Sequence, residues 1–180
     1  MHSVLVRRLT GADIPKVAEI HAEAFSRQGH STEWIRCNAQ AFPRMRFYVA
    51  ESAGSLCGFV LWTEKSGFRK DVVLELEQIA VAARYRKQGV GQALIMQSLP
   101  DVVRQLADRG ATLKAVFVTT RADNDAQQLY RKTLGAEVEA NLPSLYSADE
   151  VVMIVREPLR SNPAPNANAR KGGAASRRER

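Results

Sequence analysis

The sequence predicts a single mixed α/β (α+β) domain, a mostly antiparallel central sheet flanked by helices, on three observations. Apolar runs of strand length and apolar stripes of helical period follow one another in the order strand, helix, several antiparallel strands, helix, strand, helix, strand. The 180 residues are 45% hydrophobic and 25% charged, the balance of an ordinary globular chain, and their number suits one domain with a remainder. That remainder is the C-terminal SNPAPNANARKGGAASRRER, rich in Pro, Ala, Asn and Gly and nearly without large apolar residues to bury. The domain is therefore placed at residues 1–158 and a basic, disordered tail at 159–180.

The elements follow in order. Val4 to Leu9 is apolar and β-branched enough for a first strand, and Thr10-Gly-Ala-Asp13 supplies a helix start. Ile14, Val17, Ala18, Ala24 and Phe25 then repeat at three-and-four spacing. A short helix is expected from near Ser31 inside a longer connection. Arg46 to Glu51 and Leu56 to Glu64 read as strands joined by Ser-Ala-Gly-Ser, a hairpin connection, and a third long strand runs from Val72 to Val81. From Gly89 the period turns helical, with Val90, Leu94, Ile95, Leu99, Val102, Val103 and Leu106 on one stripe. Pro100 predicts a kink or break between Met96 and Pro100, with Gly110 closing the second half. Leu113 to Thr120 is a strand, Asp123 or Asn124 begins a helix that Gly135 ends, and Val151 to Val155 is a last strand after the loop NLPSLYSADE.

Charge excludes less than its total suggests. Six basic residues and one acid between 159 and 180 carry five of the seven net positive charges, so the domain itself gives little sign of nucleic-acid binding. No window is long and apolar enough to span a membrane, and Arg7, Arg8 and Asp13 stand where a signal peptide would be apolar, so a cytoplasmic protein is expected. Cys37 and Cys57 have no metal-ligand spacing, and neither a disulfide framework nor a metal site is expected.

The segment richest in chemistry is LELEQIAVAARYRKQGVGQALI, residues 74–95, a strand followed by a basic, Gly-rich loop that opens into a helix. Gly89 and Gly91 let the backbone turn and bring several N–H groups to a helix N-terminus, and Arg84, Arg86 and Lys87 add positive charge, so a phosphate or pyrophosphate is the favoured ligand. The GxxxxGK signature of a P-loop is absent, and a dinucleotide fingerprint would need a third glycine where Leu94 stands.

Three features in order resemble the GNAT superfamily of N-acetyltransferases. Arg86-Lys-Gln-Gly89-Val-Gly91 is similar to that family's R/Q-x-x-G-x-G/A loop. Gln78-Ile79-Ala80-Val81 resembles the end of its splayed central strand, and Asn124 to Gly135 matches N-x-x-A-x-x-L-Y-x-x-x-G. The resemblance covers residues 4–156 and implies a GNAT-like fold with acetyl-CoA as cosubstrate and a primary amine as acceptor. It further implies direct attack in a ternary complex, with dimerisation common in the family. By the same resemblance, the amides of Gln88, Gly89, Val90, Gly91, Gln92 and Ala93 would hold the pyrophosphate beside Arg86 and Lys87. Ile79, Ala80 and Val81 would meet the pantetheine or the thioester carbonyl, with Asn124 and Ala126 completing the cofactor side.

Tyr130 is the candidate acid for the departing thiolate, as its place in the family's helix implies and as a phenol of pKa about 10 allows. Glu75 and Glu77 lie two apart on the long strand, so alternation puts them on one face with Ile79, with Leu74, Leu76 and Gln78 on the other. Two carboxylates on a central strand are costly unless that face opens to a solvated cleft, where either could take a proton from an ammonium substrate. The residues leave the choice between them open. His2, His21 and His30 lack a nucleophile constellation and read as surface or packing residues. Two other classes predict differently. A non-catalytic CoA or nucleotide sensor would bind without turnover, and a nucleic-acid binder acting through the tail would show steep salt dependence.

Overall fold

The computed structural model describes residues 3–65 and 67–156. The expected tail at 159–180 and His2 lie outside the described residues. The elements are β1 (Val4–Arg8), α1 (Ile14–Ala24), α2 (Ser31–Gln40), β2 (Met45–Ser52), β3 (Ser55–Lys65), β4 (Asp71–Val81), α3 (Val90–Asp108), β5 (Thr112–Arg121), α4 (Ala126–Leu134), β6 (Glu137–Leu142) and β7 (Glu150–Arg156). The strands form one seven-stranded sheet ordered β1-β2-β3-β4-β5-β7-β6, antiparallel throughout except for the β4–β5 pair. A parallel pair needs a crossover, and α3 supplies it.

Local chemistry explains most boundaries. Ala53 and Gly54, both at positive φ (49° and 73°), make a two-residue hairpin whose twist suits β2 and β3. The Asp13 carboxylate accepts from both the amide and the hydroxyl of Thr10 and pairs with Arg7 at 2.7 Å, and Arg7 also bonds Glu51, so the entry to α1 is pinned to β1 and β2. Gly135 ends α4 in the left-handed region at φ 71°.

Two expectations need correction. Of the kink or break expected between Met96 and Pro100, the break is absent, since the helix is continuous from Val90 to Asp108. Proline removes only the bond to the carbonyl four residues back, that of Met96, and Met96 is 55% exposed, where water can take the lost donor's place. In addition, the stretch read as leading straight into a loop contains β6, an edge strand whose residues are mostly exposed and which pairs only with β7.

Each sheet face carries a core. Leu94, Ile95, Val102 and Leu106 of α3 and Tyr130 of α4 pack with Trp62, Leu74 and Leu76 on one face. Val17 and Ile20 of α1 and Ile35 of α2 pack with Phe47, Phe59 and Leu61 on the other. Gly58 lets β3 come close beside the end of β4. A Cβ there would sit 2.7 Å from the Ala80 carbonyl oxygen and 3.2 Å from Leu94 Cδ1. Gly58→Ala is therefore expected to destabilise by about 1–3 kcal/mol, the usual cost of overpacking. Urea unfolding measures this, and a loss below about 0.5 kcal/mol would mean the strands part freely there. No helix among the described residues is long and apolar enough to cross a membrane.

Candidate active site

β4 and β5 begin side by side and then separate. Their parallel register runs from Asp71 opposite Thr112 to Glu75 opposite Phe117 and stops. Beyond it, β4 stays with β3 as far as Val81 opposite Gly58, while β5 stays with β7 as far as Arg121 opposite Glu150. The edge of β4 that faces β5 is thus left without a strand partner over 76–81. The separation leaves a wedge between the two strands.

A bulge sits at its mouth. The β3–β4 register passes from Leu61 opposite Gln78 to Trp62 opposite Leu76, which leaves Glu77 as one extra residue. A bulge shifts alternation by one, so simple counting fails past it. Leu74 and Leu76 face α3, but so do Ile79 and Val81, while Ala80 faces α1 and α2. The expected grouping of Glu75 and Glu77 with Ile79, and of Gln78 with Leu74 and Leu76, is therefore corrected. Gln78 faces α1 and α2, where its carbonyl accepts from Trp34 Nε1 at 3.0 Å and its amide nitrogen lies 3.4 Å from His21 Nε2. His21 is fully buried, with Nδ1 2.9 Å from Ser31 Oγ, and burial lowers its pKa, which favours the neutral ring. This is the packing role expected of it, and through Gln78 it braces the residue beside Glu77.

The two glutamates differ in their surroundings. Glu75 pairs with Lys65 at 2.8 Å. Glu77 is half-buried beside it, and its pKa is raised first by burial and then by the negative charge of Glu75, with Lys65 opposing. A carboxylate held out of water next to another carboxylate binds protons more readily than either would alone.

At the other end of the wedge, the loop after β4 is tied down from both sides. Arg86 Nε donates to the Val81 carbonyl at 3.0 Å, its Nη2 lies 3.5 Å from Glu23, and the Gln88 amide donates to the Arg84 carbonyl at 2.8 Å. Lys87 and Gly89 stand at positive φ, 58° and 83°. The first helical bond of α3 runs from the Ala93 amide to the Gly89 carbonyl. Among the described residues no acceptor takes the amides of Lys87 through Gln92. Orphan amides at a helix N-terminus make an anion site. The cradle expected at 88–93 therefore ends at Gln92, because the Ala93 amide is spent within the helix.

A cavity of about 310 Å3 lies against these amides. Of the predicted residues, Val81, Arg86, Lys87, Gly89, Val90, Gly91 and Gln92 line it. Tyr85, Leu129 and Lys132 also line it and were missed. The only signal available for the last two was that helical spacing puts them three apart on one face of the Asn124–Gly135 motif. Ile79, Ala80, Gln88 and Ala93 do not line the cavity. Nor do Asn124 and Ala126, whose polar groups are engaged with one another. Asn124 Oδ1 accepts from the Ala126 amide at 2.9 Å, and its Nδ2 donates to Thr120 Oγ1 at 2.9 Å. These two shape the start of α4 and so present Leu129, Tyr130 and Lys132. Gly91 is needed for closeness, since a Cβ there would stand 3.1 Å from Leu129 Cδ2.

Tyr130 lies on the α3 side, 5% exposed, with its hydroxyl unpaired among the described residues. Burial pushes its pKa up to about 12, so the phenol keeps its proton at neutral pH. Arg27 Nη1 donates to Ser147 Oγ, joining the segment after α1 to the β6–β7 loop.

Comparison with known proteins identifies the family and the fold. The family model described as acetyltransferase (GNAT) family matches residues 14–136. No curated protein is similar enough in sequence to match. Solved structures share the fold. Ard1 from Thermoplasma volcanium is 24% identical, with a TM-score of 0.66 over 85% of this chain and 97% of that one. The ribosomal-protein-S18-alanine N-acetyltransferase from Escherichia coli is 21% identical, with a TM-score of 0.63 over 86% and 94%. Arabidopsis thaliana NAA60 in complex with acetyl-CoA is 17% identical, with a TM-score of 0.68 over 86% and 99%.

Proposed function

The chain belongs to the acetyltransferase (GNAT) family, and from that membership we propose that it transfers the acetyl group of acetyl-CoA to a primary amine by direct attack in a ternary complex. The unpaired amides of Lys87 and of Gly89 to Gln92, in a cavity with Arg86, Lys87 and Lys132 and no carboxylate, carry this reading. These donors fit a pyrophosphate. The unpartnered edge of β4 over 76–81 fits an extended amide-bearing arm, which hydrogen-bonds as a strand would. Acetyl-CoA, when bound, supplies an activated thioester. The amides of Ile79 or Val81 would orient its carbonyl and favour charge developing on that oxygen. Glu77 would take a proton from the substrate ammonium, directly or through water, so that the neutral amine attacks the thioester carbon, and Tyr130 would give its proton to the departing thiolate.

The acceptor we would test first is a peptide α-amine. Ribosomal-protein-alanine N-acetyltransferases stand among the fold neighbours. An α-amine of pKa 7.7–8.0 is roughly one-tenth neutral at pH 7, against roughly one part in 2,500 for lysine, so less proton removal is asked of Glu77. Calorimetry with acetyl-CoA, followed by thiol release with an Ala-initiated peptide, spermidine, free lysine and kanamycin, tests the reading. Binding with turnover on one of these is expected. Binding with no turnover on any amine would make the chain a CoA sensor, and no binding would sink the site assignment. Gly91→Asp should weaken acetyl-CoA by at least about tenfold, because the side chain crowds Leu129 and its carboxylate competes for the orphan amides. Unchanged affinity in that variant would move the pyrophosphate elsewhere.

A further inference from the structure

A second cavity, of about 230 Å3, opens where β1 ends. Past Arg8, the edge of β2 at its first residues has no neighbouring strand, and the end of α2 and Gln105 of α3 enclose the space. Its wall is aliphatic and aromatic except for Arg8, Arg46, Tyr48 and Gln105, and it includes no carboxylate.

Arg46 is 3% exposed and poorly satisfied. Its counter-ion Glu64 is shared with Arg109, which holds Oε1 closely, so both terminal nitrogens of Arg46 reach Oε2 only at 3.4 and 3.5 Å. Arg46 Nε reaches Gln105 Oε1 at 3.3 Å. Guanidinium has five N–H donors, and contacts of this length are at the weak limit. A second acid is divided in the same way. Asp101 lies 3.3 Å from Arg8 and also pairs with Arg104, while the Tyr48 hydroxyl donates to it at 2.7 Å. Two carboxylates thus serve four guanidiniums, which leaves positive charge around an apolar hollow. At its rim, Arg8 lies over the Phe42 ring, 5.6 Å from the centroid.

We propose that this cavity binds a small organic carboxylate with an apolar body, the carboxylate meeting Arg46 and Arg8 and the body resting on Phe42 and the β2 edge. A buried guanidinium held by long contacts keeps N–H donors that a carboxylate can accept from alongside Arg8, and the ring supplies apolar surface that a bare inorganic anion cannot use. The volume limits the guest to a small one. None of the residues involved lines the acetyl-CoA cavity.

The test titrates the full chain with phenylacetate, 2-phenylethanol and inorganic phosphate at constant ionic strength, following backbone amide NMR shifts. Saturable phenylacetate binding with Kd of about 1 mM or tighter is expected, with shifts at Ala39 and Phe47 rather than at Gly89 to Gln92. The alcohol and phosphate should bind at least about tenfold more weakly. Ala39→Phe, which fills the hollow without touching a charge, should abolish binding while acetyl-CoA affinity is kept. Arg8→Ala, at the half-exposed rim, should weaken it several-fold. Failure to saturate by about 10 mM, equal binding of the alcohol or of phosphate, or binding that persists in Ala39→Phe would overturn the proposal.

Discussion

Glu77→Gln is expected to lower kcat by about 10²- to 10⁴-fold, the usual worth of a positioned general base, while acetyl-CoA affinity stays within about twofold. The bulge makes Glu77 the extra residue of β4, and burial beside Glu75 raises its affinity for protons. A base must be unprotonated to act, so kcat/KM should climb with pH through this raised pKa and level above it. Glu75→Gln removes the negative neighbour, so it should move that climb to lower pH and cost less than about tenfold in rate. Stability runs the other way. A carboxyl whose folded pKa lies above its unfolded value contributes stability below the unfolded pKa and loses it as pH rises through the folded pKa. At pH 7 the native chain carries that cost and Glu77→Gln does not. The variant should therefore unfold at equal or higher urea at neutral pH, with the advantage gone in acid. If Glu77→Gln turns over within threefold of the parent while Glu75→Gln falls a hundredfold, the roles are reversed.

Tyr130→Phe is expected to cost about 10²- to 10⁴-fold in turnover with little change in acetyl-CoA affinity or in stability. The hydroxyl makes no hydrogen bond among the described residues, so its removal leaves none of their groups unsatisfied. A pKa near 12 keeps the phenol protonated at neutral pH, so it can donate a hydrogen bond to the departing sulfur as negative charge develops there. An acetyl thioester with a more acidic thiol needs less help to depart, so the variant should recover much of its rate with such a substrate. A packing role alone would give no such recovery. A loss of less than threefold with acetyl-CoA would remove Tyr130 from the chemistry.

The parts of this molecule that were legible in sequence are those whose cause is local. Ser-Ala-Gly-Ser announces its hairpin through the backbone freedom of a glycine, Gly135 announces the end of α4, and two glycines behind three cations announce an anion site. What was not legible depends on neighbours distant in sequence. LELEQI alternates without interruption, so the extra residue at Glu77 shows only against the register of β3. EVEANL alternates polar and apolar residues, but over only six positions, and its pairing with β7 as an exposed edge shows only in the fold. Pro100 suggested a break because its cost is local, whereas the apolar stripe that carries α3 through it is spread over the whole helix. Likewise the bonds that Asn124 makes to Thr120 and the Ala126 amide show only in the fold.

The short parallel seam between β4 and β5 has a consequence for how the molecule comes apart. Five registered residues of β4 are the only sheet contact between the β1–β4 and β5–β7–β6 halves among the described residues, and α3 packs across both. Such a joint divides a domain into cooperative units of unequal stability. The three-strand half, with β6 exposed at its edge, is expected to open first. A ligand lying along the unpartnered stretch of β4 would bridge the gap and make the two units unfold as one.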